Sequence, residues 1–333
     1  MEKLNISMSP YLSSEIVKKL AQNRIFTIRD LVQEDVEKLS HITRLNITCI
    51  IDIRESIFKL YSAPIKNGFT LLSESAIKER FLKSGVKSLD TALNGGIPIG
   101  YITEVCGLAG AGKTQLCMQI AINCVRSSEK TVLYIDTKGD FSAVRIQKIL
   151  DSWRLSHKEM AIIMMKIKVV YVWSMEDLIQ LLQGIKLKKI CLDRLSLVIV
   201  DSLPSLMFQH FGDDNKMGLK FLNIFVNHAR YLCQEFDISV LCVNTVTRWI
   251  DQDVPDVDGE TMCSTSKENV YVETKNRCLG KYWSHIPLIV LLLEKPIATS
   301  NDINNQNINV TVIDSNMHKN AQCTIKIDCS GVT

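Results

Sequence analysis

Eight residues constrain this chain more than any others: Gly107, Leu108, Ala109, Gly110, Ala111, Gly112, Lys113 and Thr114 fit the pattern G-x-x-x-x-G-K-[ST] at every fixed position. The flanks supply the context that the pattern needs. Residues 101–106 are apolar and β-branched, as in a buried strand, and the apolar residues of 115–125 recur at helical spacing. Strand, glycine loop and helix together make an anion cradle. The glycines let backbone N–H groups turn toward phosphate oxygens, and the helix N-terminus adds partial positive charge. In such a cradle Lys113 reaches the β- and γ-phosphates, the Thr114 hydroxyl ligates magnesium, and Gln115 extends the contact by one residue. A glycine turn without that strand and helix would imply nothing; with them it implies a site for a nucleoside triphosphate.

The rest of the sequence bounds the molecule around that loop. Of 333 residues, 46% are apolar, enough for a substantial core, and the formal charge of +3 is too small to announce nucleic acid by itself. The 11 cysteines are scattered singly with no C-x-x-C pair, which argues against a disulfide framework or a zinc site and for a reducing compartment. The first residues hold no apolar run of signal-peptide length. The longest apolar run, 286–293, contains Pro287 and is too short to span a bilayer, so no membrane partner is expected.

Three segments follow from the patterning. Residues 1–61 read as a small all-α domain: Ile16, Leu20, Ile25, Ile28 and Leu31 form a helical apolar stripe, and Thr27 has the position of a helix N-cap. Residues 62–82, with Pro64 and Gly68, read as a linker. From 83 to 333 strands alternate with helices, the pattern of an α/β core with a mostly parallel sheet. Core strands at 131–136, 195–200 and 238–243 lead to Asp136, Asp201 and Asn244. Ligands gather at the carboxyl ends of such strands, so these three residues should converge on the rim that carries the phosphate loop. Asp201 follows four apolar residues, the form of the second nucleotide motif, and would hold a magnesium-bound water; a helix N-cap is the other role open to it. Asp136 is either a site residue or a cap.

The segment before the loop carries a family resemblance. Gly85, Leu89 and Asp90, then the Gly95-Gly96-Ile97 turn, then Gly100, Ile102, Thr103 and Glu104 resemble the entrance to the core of RecA-like recombinases. The strands 132–136 and 198–201 and the small helical domain on a linker are similar too, so the resemblance covers nearly the whole chain. Residues 243–248 and 279–287 resemble the eukaryotic recombinase paralogues of D type, subunits of recombinational-repair complexes. The resemblance implies a RecA-like P-loop ATPase core, ATP and Mg²⁺ as ligands, other paralogues as partners in a hetero-oligomer, and a nuclear location. It also implies a role in loading the main recombinase on single-stranded DNA during homologous recombination repair of double-strand breaks. Single-stranded or branched DNA would be met through the complex.

The departures narrow that expectation. In catalytic recombinases an acid two residues after the strand aspartate activates the attacking water; here that position is Lys138, and an ammonium cannot take a proton. Asp140, two residues on, is a possible substitute. The amide that senses the γ-phosphate after Asn244 is replaced by Thr245. ATP binding with at most a weak, DNA-stimulated hydrolysis is expected. Arg145 matches an arginine that packs on adenine, although a solvated helix residue is an equal reading. The second DNA-contacting loop of the family falls at about 248–281. Its basic residues are Arg248, Lys267, Lys275, Arg277 and Lys281. Its acids are Asp251, Asp253, Asp256, Asp258, Glu260, Glu268 and Glu273, so the loop is net negative, unlike a phosphate-tracking segment. Trp249 could stack on bases or serve a protein contact. Phe69, in a linker motif where relatives anchor on the neighbouring subunit, and His285, which matches a histidine reaching nucleotide across that interface, complete the DNA or partner contacts. Two alternatives stay open: an active DNA-dependent ATPase of strand exchange, and a P-loop small-molecule kinase.

Overall fold

The computed structural model describes residues 3–61, 67–77, 79–127, 129–210, 216–250, 273–296, 307–314 and 320–333. The chain divides into two compact units, Met1–Lys78 and Glu79–Thr333.

The first unit is helical, with helices Ser14–Gln22, Ile28–Gln33, Val36–Thr43, Ile47–Tyr61 and Gly68–Ile77. Its core gathers the inward stripe, Leu12, Leu20, Ile25, Leu31, Leu39, Ile50, Ile53 and Ile57. Thr27 starts its helix with a reciprocal capping box to Asp30, which satisfies two otherwise orphaned amides. The turn after Val36–Thr43 has no glycine. Arg44 itself takes the left-handed conformation there, at φ 61°, and its N–H bonds the Ser40 carbonyl to close the helix. The segment read as a linker holds the last helix, which opens where the Asn67 side chain accepts from the Thr70 amide.

The second unit has strands β1 (Phe81–Leu82), β2 (Ile97–Pro98), β3 (Ile102–Gly107), β4 (Thr131–Asp136), β5 (Ile167–Tyr171), β6 (Leu195–Asp201), β7 (Ser239–Val243), β8 (Val246–Ile250), β9 (Glu273–Arg277), β10 (Ile289–Glu294), β11 (Asn307–Asp314), β12 (Asn320–Asp328) and β13 (Gly331–Val332). Nine of them form one sheet in the order β13-β12-β11-β10-β3-β7-β6-β4-β5. The six from β10 to β5 run parallel, and β11 to β13 add an antiparallel edge. Successive residues of a central strand face opposite layers. Val132 and Tyr134 pack with the helix Lys113–Ser127, and Leu133 and Ile135 with the helices Met175–Lys186 and Lys216–Glu235. Burial on both faces explains why these strands read as unbroken apolar runs rather than alternating ones. Because the six strands are parallel, Gly107, Asp136, Asp201 and Asn244 come to one rim, with Asp136 and Asp201 in register side by side. Among the described residues no helix is long and apolar enough to cross a membrane.

Candidate functional site

An open cavity of about 490 Å³ lies on that rim, within the size range of small-molecule sites. The phosphate loop forms one wall with Ala109, Gly110, Gly112, Lys113, Thr114 and Gln115. Lys138 and Asp140 stand on the β4 side, and Ser202 and Thr245 follow β6 and β7. The loop's shape is set by its glycines: a Cβ on Gly107 would lie 2.4 Å from the Leu293 carbonyl oxygen, and Gly112 holds φ +88°. Lys113 is buried, and its ammonium donates to the Gly107 and Leu108 carbonyls, both at 2.8 Å. Burial pushes that ammonium down from the ordinary lysine range, Lys138 nearby pushes it further, and Asp201 acts against them more weakly.

Asp201 is 1% exposed. Its Oδ2 accepts from the Tyr134 hydroxyl at 2.8 Å, while Oδ1 is buried with no hydrogen-bond partner among the described residues. Burial raises the carboxyl above the usual range, and the neighbouring Thr114 and Tyr134 hydroxyls and Lys138 lower it. An orphaned carboxylate oxygen beside the loop's threonine is the donor set of a hard divalent cation, so Thr114 and Asp201 fit the magnesium position. The Ser202 hydroxyl, also buried and without a partner among the described residues, belongs to a residue that lines the same cavity.

Asp136 is not free to act there. Its Oδ1 accepts from the amides of Lys138, Gly139 and Asp140, and its Oδ2 from that of Phe141, so it caps the turn after β4. That cap fixes the backbone on which Lys138 and Asp140 are mounted. Gln115 is tied to Arg145, whose Nε donates to it at 2.8 Å; the remaining Arg145 donors bind the Cys329 and Asp328 carbonyls. The arginine thereby fastens the closing hairpin β11–β12 to the loop helix, and Ile308 and Ile327 of that hairpin complete the cavity wall.

The residues expected to meet DNA or a partner divide. β8 and β9 pair as a hairpin that places Arg248 opposite Lys275 and Trp249 opposite Thr274; the side chains of Arg248, Trp249 and Lys275 lie outside the described ones, as do residues 251–272. Arg277 is described, and it turns inward: its Nη1 lies 3.0 Å from Oε2 of Glu104, whose side chain is fully buried in β3. Glu104 was not singled out by the sequence as a site residue, although a carboxylate inside an apolar strand is itself a signal. Its Oε1 accepts from the Asn244 amide at 2.7 Å, and that amide also holds the Cys278 carbonyl. Burial raises the Glu104 carboxyl, against which Arg277, Asn244 and Trp283 act. Asn244 is therefore spent on this network, and Thr245 presents the next side chain to the cavity. Lys281 is exposed on the helix Gly280–Ser284. His285 is exposed beside Tyr101 and Arg230 at the opposite end of β3 and β10 from the loop. A six-residue strand rises about 20 Å, which removes His285 from the phosphates of its own cavity. Phe69 is 80% exposed, and Leu72 beside it 64%.

The comparisons with known proteins agree with this layout. The Rad51 family model matches residues 78–332, and a second one, for the N-terminal domain of RAD51D, matches residues 1–57. Over 299 residues the chain is 27% identical to the mouse protein named DNA repair protein RAD51 homolog 4, covering 88% of this chain and 85% of that one. The bovine counterpart is 28% identical with 88% and 86% covered. The mouse RAD51 homolog 2 is 24% identical over 302 residues, 85% of this chain and 86% of its own length.

Proposed function

The chain belongs to the Rad51 family of DNA repair and recombination proteins, and from that premise we propose that it is an ATP-binding recombinase paralogue. It assembles with other paralogues and supports loading of the main recombinase on single-stranded DNA in the nucleus. The observation that carries the reading is the asymmetry of the cavity. The residue types that would grip a nucleotide, Gly107–Thr114 and Asp201, stand on one rim, while Lys138 and Thr245 line the cavity at the positions to which the family resemblance gives a base and a sensing amide. Loss of a base costs roughly 10²–10⁴ in rate. ATP with Mg²⁺, when bound, would supply the charge that draws Lys113, Thr114 and Asp201 into one arrangement, and assembly follows from that arrangement more than from turnover. Arg145, held by Gln115, Asp328 and Cys329, would support a base by position rather than by hydrogen bonds.

Partner docking is supported by Phe69, an exposed aromatic of the kind that anchors interfaces, and by the match of residues 1–57 to a paralogue-specific domain. DNA contact falls to Lys281 and to Arg248 and Lys275 of the β8–β9 pair, with the complex as the unit that binds. The test is co-purification with candidate paralogues, with and without ATP, using wild type and Phe69→Ala. The variant should lose one partner, and omission of ATP should weaken recovery. Equal recovery of every partner in all four conditions would overturn the assembly reading. An active DNA-dependent ATPase would instead show turnover stimulated by single-stranded DNA, and a kinase would transfer phosphate to an acceptor.

A further inference from the structure

The cavity on the carboxyl rim is lined by two lysines, Lys113 of the phosphate loop, whose ammonium rests on the Gly107 and Leu108 carbonyls, and Lys138 of the turn after β4. The mount of Lys138 is fixed by the four amides gathered on Asp136, one of them its own at 3.0 Å. Asp136 is fully buried with both oxygens engaged by those amides, and among the described residues it makes no ion pair with Lys138. No hydrogen bond or ion pair engages the Lys138 ammonium among the described residues, and Asp140, on the same turn, is the one exposed acid that lines this wall. Two cations held across a cleft are unfavourable until an anion sits between them. The loop amides and Lys113 already suffice for the inner phosphates. Lys113, Thr245 and Lys138 line the same cavity, which leaves a place among them for the outermost one.

Resting on the nucleotide reading above, we propose that Lys138 is a phosphate-binding residue, which with Lys113 clamps the terminal phosphate of a nucleoside triphosphate and makes the site prefer triphosphate over diphosphate. Lysine carries a compact charge on a flexible four-carbon stem, and its three donors leave no acceptor to activate a water. The substitution that removes a base thus installs a sensor: the site distinguishes the two nucleotides by affinity rather than by cleaving one into the other. Diphosphate has no oxygens at that position, so it is held by the loop alone.

The experiment is isothermal titration of the full-length protein with a non-hydrolysable ATP analogue and with ADP, each with Mg²⁺, for wild type, Lys138→Ala, Lys138→Arg and Lys113→Ala. One partly exposed charge-assisted hydrogen bond corresponds to about a tenfold change in Kd. Lys138→Ala should therefore weaken the triphosphate analogue about tenfold and ADP less than twofold, with Lys138→Arg close to wild type. Lys113→Ala should weaken both nucleotides. Equal loss of both in Lys138→Ala, or loss of neither, would overturn the clamp while leaving the nucleotide site intact. Wild type that binds neither nucleotide, or binding indifferent to Lys113→Ala, would overturn the site itself and the clamp with it.

Discussion

Replacing Arg277 by alanine should destabilise the core far more than removal of a surface cation. The guanidinium lies 3.0 Å from a Glu104 oxygen whose side chain is fully buried, while the arginine is 34% exposed. Breaking a fully buried pair costs about 3–5 kcal/mol and an exposed one about 0–1 kcal/mol. With the arginine one-third exposed and Asn244 still bonded to Oε1, the loss falls between, at about 2 kcal/mol. For a core of this size that is a fall of about 4–8 °C in Tm. The assay is unfolding followed by tryptophan emission, since Trp153, Trp173, Trp249 and Trp283 all belong to the larger unit. The pH dependence identifies the cause. Burial raises Glu104 above its unfolded value of 4.5, so its unfavourable contribution is absent below that value and appears as pH rises through the folded one. Without Arg277 the folded value moves higher still. The deficit of Arg277→Ala should therefore be largest at pH 7, shrink toward pH 5, and be partly relieved by a second change, Glu104→Gln. A loss under about 0.5 kcal/mol at pH 7, or one indifferent to pH and to Glu104→Gln, would refute the ion pair as a structural tie.

Two further outcomes follow from single residues. Arg44→Gly should raise the stability of the helical unit by about 0.5–1 kcal/mol in chemical denaturation, because Arg44 holds a left-handed conformation that glycine adopts without steric cost. A destabilisation would mean that the arginine side chain contributes more than its backbone strain. Asp201→Asn should leave core stability unchanged or slightly raised at neutral pH, since the buried charge is disfavoured there, yet abolish the dependence of ATP affinity on Mg²⁺ in titrations. Retention of that dependence would remove Asp201 from the metal position.

The legible parts of the molecule are those with local causes. The strand 131–136, the Thr27 cap and the carboxyl-rim convergence of Asp201 with the phosphate loop all follow from short patterns, and the structure has them at those residues. Strand β5 was not anticipated because it follows the helix His157–Lys166 directly, without a glycine or proline between them. The helix Gly68–Ile77 was hidden by Gly68 itself, which reads as a breaker but here stands at the first helical position. Asp136 illustrates a different limit. A carboxylate at a strand end is spelled the same whether it caps a turn or meets a ligand, and only the four amides on it decide. Arg277 and Glu104 are 173 positions apart, and Arg145 meets Asp328 across 183, so no window of sequence contains either contact. Arg277 accordingly looked like one of a row of basic loop residues until the fold brought a buried acid to it.

The central claim is that this cavity holds ATP without turning it over. The direct measurement is single-turnover hydrolysis of radiolabelled ATP by the purified full-length protein, with and without single-stranded DNA, beside Lys113→Ala. The account predicts saturable binding that Lys113→Ala removes, and phosphate release by wild type at most slightly above that variant, with any excess confined to the reactions that contain single-stranded DNA. Robust release by wild type, abolished in Lys113→Ala, would contradict it.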